Sequence, residues 1–365
     1  MLNIDKAISD TTIVVAMSGG VDSSTVAAQL HHAGYKVIGI TLQLYDHGQM
    51  LAKKGACCAG QDIYDAQMVA SSLGIPYYVL DYENRFKDHV IDDFVDSYLR
   101  GETPLPCVRC NQSVKFKDLL KMAKDLGADG LATGHYVRRV EGKNGPELHT
   151  GMDPRKDQSY FLFATSKEQL DFLHFPLGSM SKDETREEAK KFGLDIADKP
   201  DSQDICFVPN GSYVDLVRKL RPDASAPGKI MHIDGFILGE HNGILGYTIG
   251  QRRRLGISSA DALYVVRLDP ENNIVYVGPE SALHSTEFLI KDVSWIGDGE
   301  YPSDGMEVKV KIRSTHSGAL AKLRPLSNGD IIVNLLSNER AVTPGQACVM
   351  YDGERVLGGG WITRQ

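Results

Sequence analysis

The sequence predicts an α/β protein continued by all-β domains. An N-terminal doubly wound parallel sheet is followed by a small β-rich central domain and a C-terminal β-barrel. Three observations carry this. Through residue 208, short apolar β-branched runs alternate with helical stretches, the pattern of strand–helix–strand units. Beyond it the texture changes to alternating apolar positions punctuated by Gly, Asn, Asp and Pro. And 365 residues exceed one typical hydrophobic core. The expected domains are 1–208, 209–284 and 285–365.

In order, Ile13–Met17 is a buried strand, and the turn Ser18-Gly19-Gly20-Val21-Asp22-Ser23-Ser24 leads into a helix expected to end at Gly34. Residues 35–45 form a second strand, 61–73 a helix, 77–80 a third strand and 84–99 an amphipathic helix. A further helix is expected over 115–126 and a strand over 129–133, leading into Gly134-His135-Tyr136. Residues 142–157 read as a polar loop, and Ser181–Glu184 as a capping box before a helix to Phe192. Residues 263–277 read as strand–turn–strand, and 286–361 as a small closed barrel.

The 18–24 turn lies between a strand end and a helix N-terminus, where unpaired N–H groups and the helix dipole favour an anion. Glycines let a phosphate approach the backbone, and serines add donors. No lysine closes the loop, so the Walker pattern is excluded. Asp22 would repel a phosphate unless Mg²⁺ lies between them; otherwise it is a helix cap.

Net charge of −8 excludes a generally basic nucleic-acid coat, so any RNA contact must be local. Residues 309–324 carry Lys309, Lys311, Arg313, Lys322 and Arg324 with no acid among them, a basic stripe suited to phosphates. Arg252–Arg254 and Arg155-Lys156 are further candidates. No apolar run approaches membrane-spanning length, and the N-terminus lacks a basic segment followed by an apolar one. The expectation is a cytoplasmic protein with no membrane partner.

Six cysteines in this length are no disulfide scaffold. Cys107 and Cys110 lie in the proline-bearing segment TPLPCVRCN; just ahead of the expected helix, and with Arg109 adjacent, Cys110 should be enriched in thiolate. Cys206 lies in the polar segment DSQDICF. The pair reads as half a zinc site, a redox pair or nucleophiles beside a nucleotide. Cys57, Cys58 and Cys348 look less chemical, Cys348 as core.

SGGVDSS resembles the loop of the PP-loop ATP pyrophosphatase superfamily, whose fold is adenine nucleotide alpha hydrolase-like. Such enzymes hold the pyrophosphate of ATP and transfer AMP to an oxygen. SGGVDSS, PCVRCN-x-x-x-KF, ATGHY, KDQSYFL, DSQDICF, YTIGQR and TPGQA occur in this order. Together they resemble the bacterial-type tRNA-specific 2-thiouridylase family over essentially the full length.

The resemblance implies ATP- and Mg²⁺-dependent replacement of O2 of the wobble uridine by sulfur, in tRNAs for Lys, Glu and Gln. ATP would be held by Ala16, Met17, Ser18, Gly19, Gly20, Val21, Asp22, Ser23, Leu42 and Gly134. Cys206 would carry the persulfide and Cys110 would be the partner nucleophile. Leu105, Pro106 and Cys107 would meet the target base; His135, Lys156, Asp157, Gln158, Arg313, Ser314 and Gln346 would meet tRNA. Implied partners are a persulfide donor, either a cysteine desulfurase or a sulfur-relay protein, and a reductant for a Cys110–Cys206 disulfide.

Two departures stand out. Leu42 replaces a common Met, which keeps an apolar adenine contact. Cys107 replaces a common Asp, so Cys107, Cys110 and Cys206 could ligate a [4Fe–4S] cluster, a rival route to the same product. Another rival is an adenylating amide ligase, which needs no cysteines; a non-catalytic one is an iron–sulfur or zinc RNA-binding protein.

Overall fold

The computed structural model describes residues 2–45, 58–200, 205–208, 213–222 and 226–364. Two compact units divide the chain: 1–90, 107–203 and 354–357 form one; 91–106, 204–353 and 358–365 form the other.

The first unit is built on a five-stranded parallel sheet of β1 (Thr12–Ala16), β2 (Lys36–Gln43), β3 (Tyr77–Asp81), β4 (Gly130–Ala132) and β7 (Leu173–His174), in the order β3-β2-β1-β4-β7. β1 pairs with β2 on one side and β4 on the other, so the chain reverses its direction of travel across the sheet there. The crevice outside strand carboxyl ends at such a reversal is where open parallel sheets bind ligands. Ile13, Val14 and Val15 of β1 are fully buried, as a central strand of such a sheet requires.

Helix α1 (Val21–His32) starts directly after the β1 loop, and its Val26, Ala27 and Leu30 pack with Ile13, Val15 and Ala132. Helix α2 is Cys58–Leu73. A helix α3 spans 83–99, with a π-helical turn at Lys87–Ile91. Helix α4 spans 106–125, composed of Pro106–Arg109, a π-helical stretch Cys110–Leu119 and Leu120–Asp125. Two shorter helices are α5 (Lys167–Phe172) and α6 (Lys182–Lys191).

Two expectations change here. The 115–126 helix begins nine residues early, because Pro106 occupies a first helical position rather than a loop. The expected polar loop at 142–157 is in its first half a hairpin, β5 (Val137–Gly142) with β6 (Gly145–Thr150), turning at Gly145 with φ 111°. Its alternation of polar and small residues concealed it.

The second unit contains helix α7 (Tyr213–Leu220) and two β assemblies. A four-stranded sheet orders β10 (Tyr264–Asp269), β11 (Ile274–Gly278), β8 (Gly228–His232) and β9 (Ile237–His241), with Ile230, Val265, Val275 and Val277 buried beneath. β12 (His284–Trp295), β15 (Ile331–Arg340), β14 (Ala319–Pro325), β13 (Glu307–Lys311), β16 (Ala347–Asp352) and β17 (Arg355–Ile362) follow one another in an antiparallel barrel, closed by β12 pairing with β17. Closure leaves no unpaired edge. Cys348 is fully buried in β16, as expected of a core thiol.

Candidate active site

The loop after β1 has the form an anion site needs. Gly19 adopts φ 72°, and a Cβ there would lie 2.1 Å from the Asp62 carbonyl oxygen on α2, so only glycine fits. Ser23 Oγ accepts from the Ser18 amide at 3.0 Å and lies 3.2 Å from Ser18 Oγ, which folds the loop over the first turn of α1. Gly134, just past β4, presses on the same turn: a Cβ there would lie 2.8 Å from the Ser23 nitrogen. Leu42 is the penultimate residue of β2. The β1, β2 and β4 ends thus bring Ala16, Met17, Ser18–Ser23, Leu42 and Gly134 to one edge of one sheet.

Asp22 does not cap α1; that position is Gly20. Its Oδ1 accepts from Tyr136 OH at 2.8 Å and from Lys182 Nζ at 2.7 Å. Tyr136 OH also lies 3.0 Å from Thr185 Oγ1 on α6. Lys182 is only 7% exposed, so a buried ammonium sits against the loop. On the far side, Lys199 Nζ donates to the Gly19 carbonyl at 2.9 Å and to Asp62 at 2.8 Å, tying the loop to α2. Sequence reading missed Lys182, Lys199 and Tyr136. The capping box at Ser181 and Glu184 placed Lys182 at a helix start, but nothing local showed its partner 160 positions away.

Cys107 and Cys110 lie one turn apart on α4, a spacing that puts both thiols on one helix face. Cys107 is exposed; Cys110 is 7% exposed. The expectation of a thiolate-rich Cys110 is overturned. Burial pushes its thiol up, partly offset by the Lys115 ammonium, and neighbouring Cys107 pushes it further up. Cys110 lies inside the helix rather than ahead of it, so the terminal N–H groups do not serve it. Cys107 is raised too: exposed by area, it is still hemmed in enough for desolvation to outweigh Lys115.

His135 packs edge-on to Phe116, with ring centroids 5.9 Å apart, and its Nδ1 lies 2.9 Å from Thr133 Oγ1. Desolvation, reinforced by Lys115, pushes its pKa down to about 3, so the ring is neutral near pH 7. Asn111, beside Cys110, donates to the Phe161 carbonyl at 3.3 Å while its buried Oδ1 has no hydrogen-bond partner.

Other anticipated contacts have structural work. Asp157 accepts from the Gly151 and Ser159 amides at 3.0 and 3.1 Å, and Gln158 accepts from the Tyr136 amide at 2.8 Å. Lys156 is half-buried beside them, and Arg155 pairs with Asp153 at 3.1 Å. In the second unit, Gln346 donates to the Thr103 carbonyl at 3.0 Å, stitching the 343–346 turn to the segment that carries Leu105 and Pro106. Cys206 is exposed there, while Asp201–Asp204 of its motif, and Cys57, lie outside the described residues.

The basic stripe is weaker than its sequence suggested. Lys322 pairs with Glu307 at 3.1 Å on the adjacent strand β13, and Arg324 faces Glu287 at 3.7 Å on β12, one strand beyond β15. Arg313 donates to the Arg340 carbonyl at 3.2 Å, and Ser314 is exposed beside it. Among the described residues, no group of three or more His, Cys, Asp or Glu side chains is gathered as a metal site, so the [4Fe–4S] reading gains no support. Among them, too, no helix is long and apolar enough to cross a membrane.

A family model described as the tRNA methyl transferase HUP domain matches residues 11–210. The tRNA methyl transferase PRC-barrel domain matches 216–279, and the aminomethyltransferase beta-barrel domain 285–362. The chain is 66% identical over 366 residues to the tRNA-specific 2-thiouridylase MnmA of Rickettsia conorii, covering 100% of this chain and 98% of that one. The chain belongs to the tRNA-specific 2-thiouridylase family. The Rickettsia felis member is 67% identical over 365 residues, covering 100% and 99%. Outside these close 2-thiouridylases, a 4-thiouridine synthetase solved with RNA and ATP aligns with 58% of this chain and 51% of its own at 18% identity and a TM-score of 0.37, a likeness too distant to speak to activity.

Proposed function

We propose that this protein is a tRNA-uridine 2-sulfurtransferase that uses ATP to activate O2 of the wobble uridine in tRNAs for Lys, Glu and Gln, then replaces it with sulfur. The observation that carries this is that α4, which bears Cys107 and Cys110, runs directly into β4, whose end seats Gly134 on the phosphate loop. One α/β unit thus couples a nucleotide loop to a cysteine pair. The family-model descriptions mention methyl transfer, but the relatives at two-thirds identity are named 2-thiouridylases.

Two steps follow from that chemistry. Uridine O2 attacks the α-phosphate of ATP, the bond to the bridging oxygen breaks, and pyrophosphate leaves. The carbonyl oxygen, a poor leaving group, becomes part of AMP. The terminal sulfur of a Cys206 persulfide then attacks C2, and AMP departs with the oxygen. Attack of the Cys110 thiolate on Cys206 Sγ frees the thiocarbonyl and leaves a Cys110–Cys206 disulfide, which an external dithiol reduces. ATP arrives with Mg²⁺ as substrate; the loop's N–H groups and serine hydroxyls suit its phosphates.

Support for the cofactor and partners is the same: the loop for ATP, family membership for tRNA, and the thiol chemistry for a persulfide donor and a reductant. The division at 1–208, 209–284 and 285–365 is supported by the spans of the three family models. A cytoplasmic site of action fits a tRNA substrate. The test is a thiolation assay on unmodified tRNA with a protein persulfide donor, iron and sulfide being measured alongside. We expect tRNA-dependent release of AMP and pyrophosphate, loss of thiolation in Cys110→Ser and Cys206→Ser, and activity without iron. A fully active Cys206→Ser would overturn the reading.

A further inference from the structure

Cys206 sits at the crest of a tight turn. The Val208 amide donates to the Ile205 carbonyl at 2.9 Å and closes it, leaving Cys206 exposed. The next side chain does the opposite: Phe207 is 1% exposed. Its ring meets Phe94 of α3 edge-on, with centroids 5.2 Å apart at 85°. Phe94 meets Tyr98 edge-on at 5.0 Å, and Tyr98 stacks on Tyr213 of α7 at 4.5 Å. Rings packed edge-to-face or stacked hold direction as well as area. The same helix sets a second heading. α3 ends with the Gly101 amide on the Tyr98 carbonyl and the Glu102 amide on the Ser97 carbonyl, both at 2.9 Å, and Gly101 at φ 66°. This closure fixes how the chain leaves α3 for the segment with Leu105 and Pro106. The Thr103 amide then donates to the Pro344 carbonyl at 2.8 Å. Residues 91–106 and Cys206 lie in one compact unit, so the second half of α3 is a common frame for both.

We infer that Phe207 is the positioning residue for sulfur delivery: seated on Phe94, it holds Cys206 in register with the Leu105-Pro106 segment that meets the target base. The inference rests on the persulfide reading above and deepens it. In the step concerned, the terminal sulfur of the Cys206 persulfide bonds to C2 as the C2–O bond breaks, and that bond's electron pair leaves with AMP. Phe207 touches no reacting atom and acts only through its neighbour. A carrier thiol that accepts sulfur at the surface and gives it up at one carbon needs exposure and aim together. The turn supplies the first, the buried ring the second. Displacing a reacting group by about 1 Å costs on the order of 10²-fold in rate.

The test uses the full chain and unmodified tRNA. The protein is loaded with sodium polysulfide and desalted, and the Cys206 persulfide is counted by peptide mass spectrometry. Pyrophosphate release and 2-thiouridine formation are then followed in a single turnover. Wild-type protein that forms 2-thiouridine equally well with Cys206 unloaded would sink the persulfide reading itself, whatever Phe207 does. Given that dependence, Phe207→Ala should leave loading and pyrophosphate release within about twofold and slow 2-thiouridine formation about 100-fold; Phe207→Leu, which keeps an apolar anchor, should slow it about tenfold. Phe94→Ala should slow the same step, and Phe94→Ala/Phe207→Ala no further than the slower single variant, since both break one contact. If an alanine variant unfolds, Phe207→Leu and Phe94→Leu carry the same comparison. Formation of 2-thiouridine at the wild-type rate in folded Phe207→Ala or, failing that, in Phe207→Leu would overturn the assignment. So would pyrophosphate release that falls in step with sulfur delivery, the mark of a merely structural ring.

Discussion

Gly134→Ala isolates the seating of the β4 end on the 18–24 loop. Gly134 has no positive φ, so alanine suits its backbone and the effect is purely one of space. The new methyl would lie 2.8 Å from the Ser23 nitrogen and 3.0 Å from the Asp22 carbonyl carbon, backbone atoms that cannot rotate away. The first turn of α1 must shift, and overpacking of this kind costs about 1–3 kcal/mol. On the proposed reading the displaced amides meet the phosphates, so the cost should fall on the bound state. A coupling of about 1–3 kcal/mol is roughly 5–150-fold in affinity. Gly127→Ala is the control: Gly127 has φ 72° but open space around its Cβ position, so alanine there pays only the left-handed penalty, about 1–2 kcal/mol. Calorimetric titration with ATP, together with thermal melts, reads both. Gly134→Ala should weaken ATP; Gly127→Ala should lower the melting temperature with ATP affinity unchanged. Unchanged affinity in Gly134→Ala, or equal weakening in both, would refute the reasoning.

Alkylation of Cys110 should keep rising above pH 9, and Lys115→Met should move that rise to still higher pH, followed by mass spectrometry on Cys107→Ser protein. His135 titrates near 3 when folded and near 6.5 when unfolded, so the unfolded chain binds the extra proton; stability should fall as pH drops from 6.5 toward 3. His135→Gln should flatten that slope in denaturant titrations at several pH values. Glu307→Gln releases Lys322, and the salt dependence of tRNA binding should steepen by about one unit of log–log slope. Ser181→Ala removes the α6 cap and should cost about 1 kcal/mol in a thermal melt.

The site's scaffold was legible because its signals are local. A β-branched run, a Gly-Gly turn and a helical face lie within twenty residues of one another, and β1, β2 and β4 repeat the theme. What escaped depends on distance or on context. Pro106 has one meaning in a loop and another at a helix start, and only the fold of 106–125 selects between them. The thiol of Cys110 looked activated from its neighbours in sequence, yet its neighbours in space exclude water and reverse the sign. The acids that quiet Lys322 and Arg324 lie across strand pairings, outside the window in which the stripe was read. Lys182 met Asp22 only through tertiary folding.

The π-helical stretch Cys110–Leu119 has a consequence for chain length. Its wider turns hold more residues over the same rise than an α-helix does. Deleting one residue between 112 and 118 would let one wide turn tighten to ordinary pairing, and because that turn had absorbed the residue, the flanking segments stay in phase. Adding one residue to an ordinary α-helical turn would instead rotate everything upstream by about 100° and swing both thiols to a different flank of an intact rod. Where the two cysteines point is therefore set by a residue count and by which turn carries it.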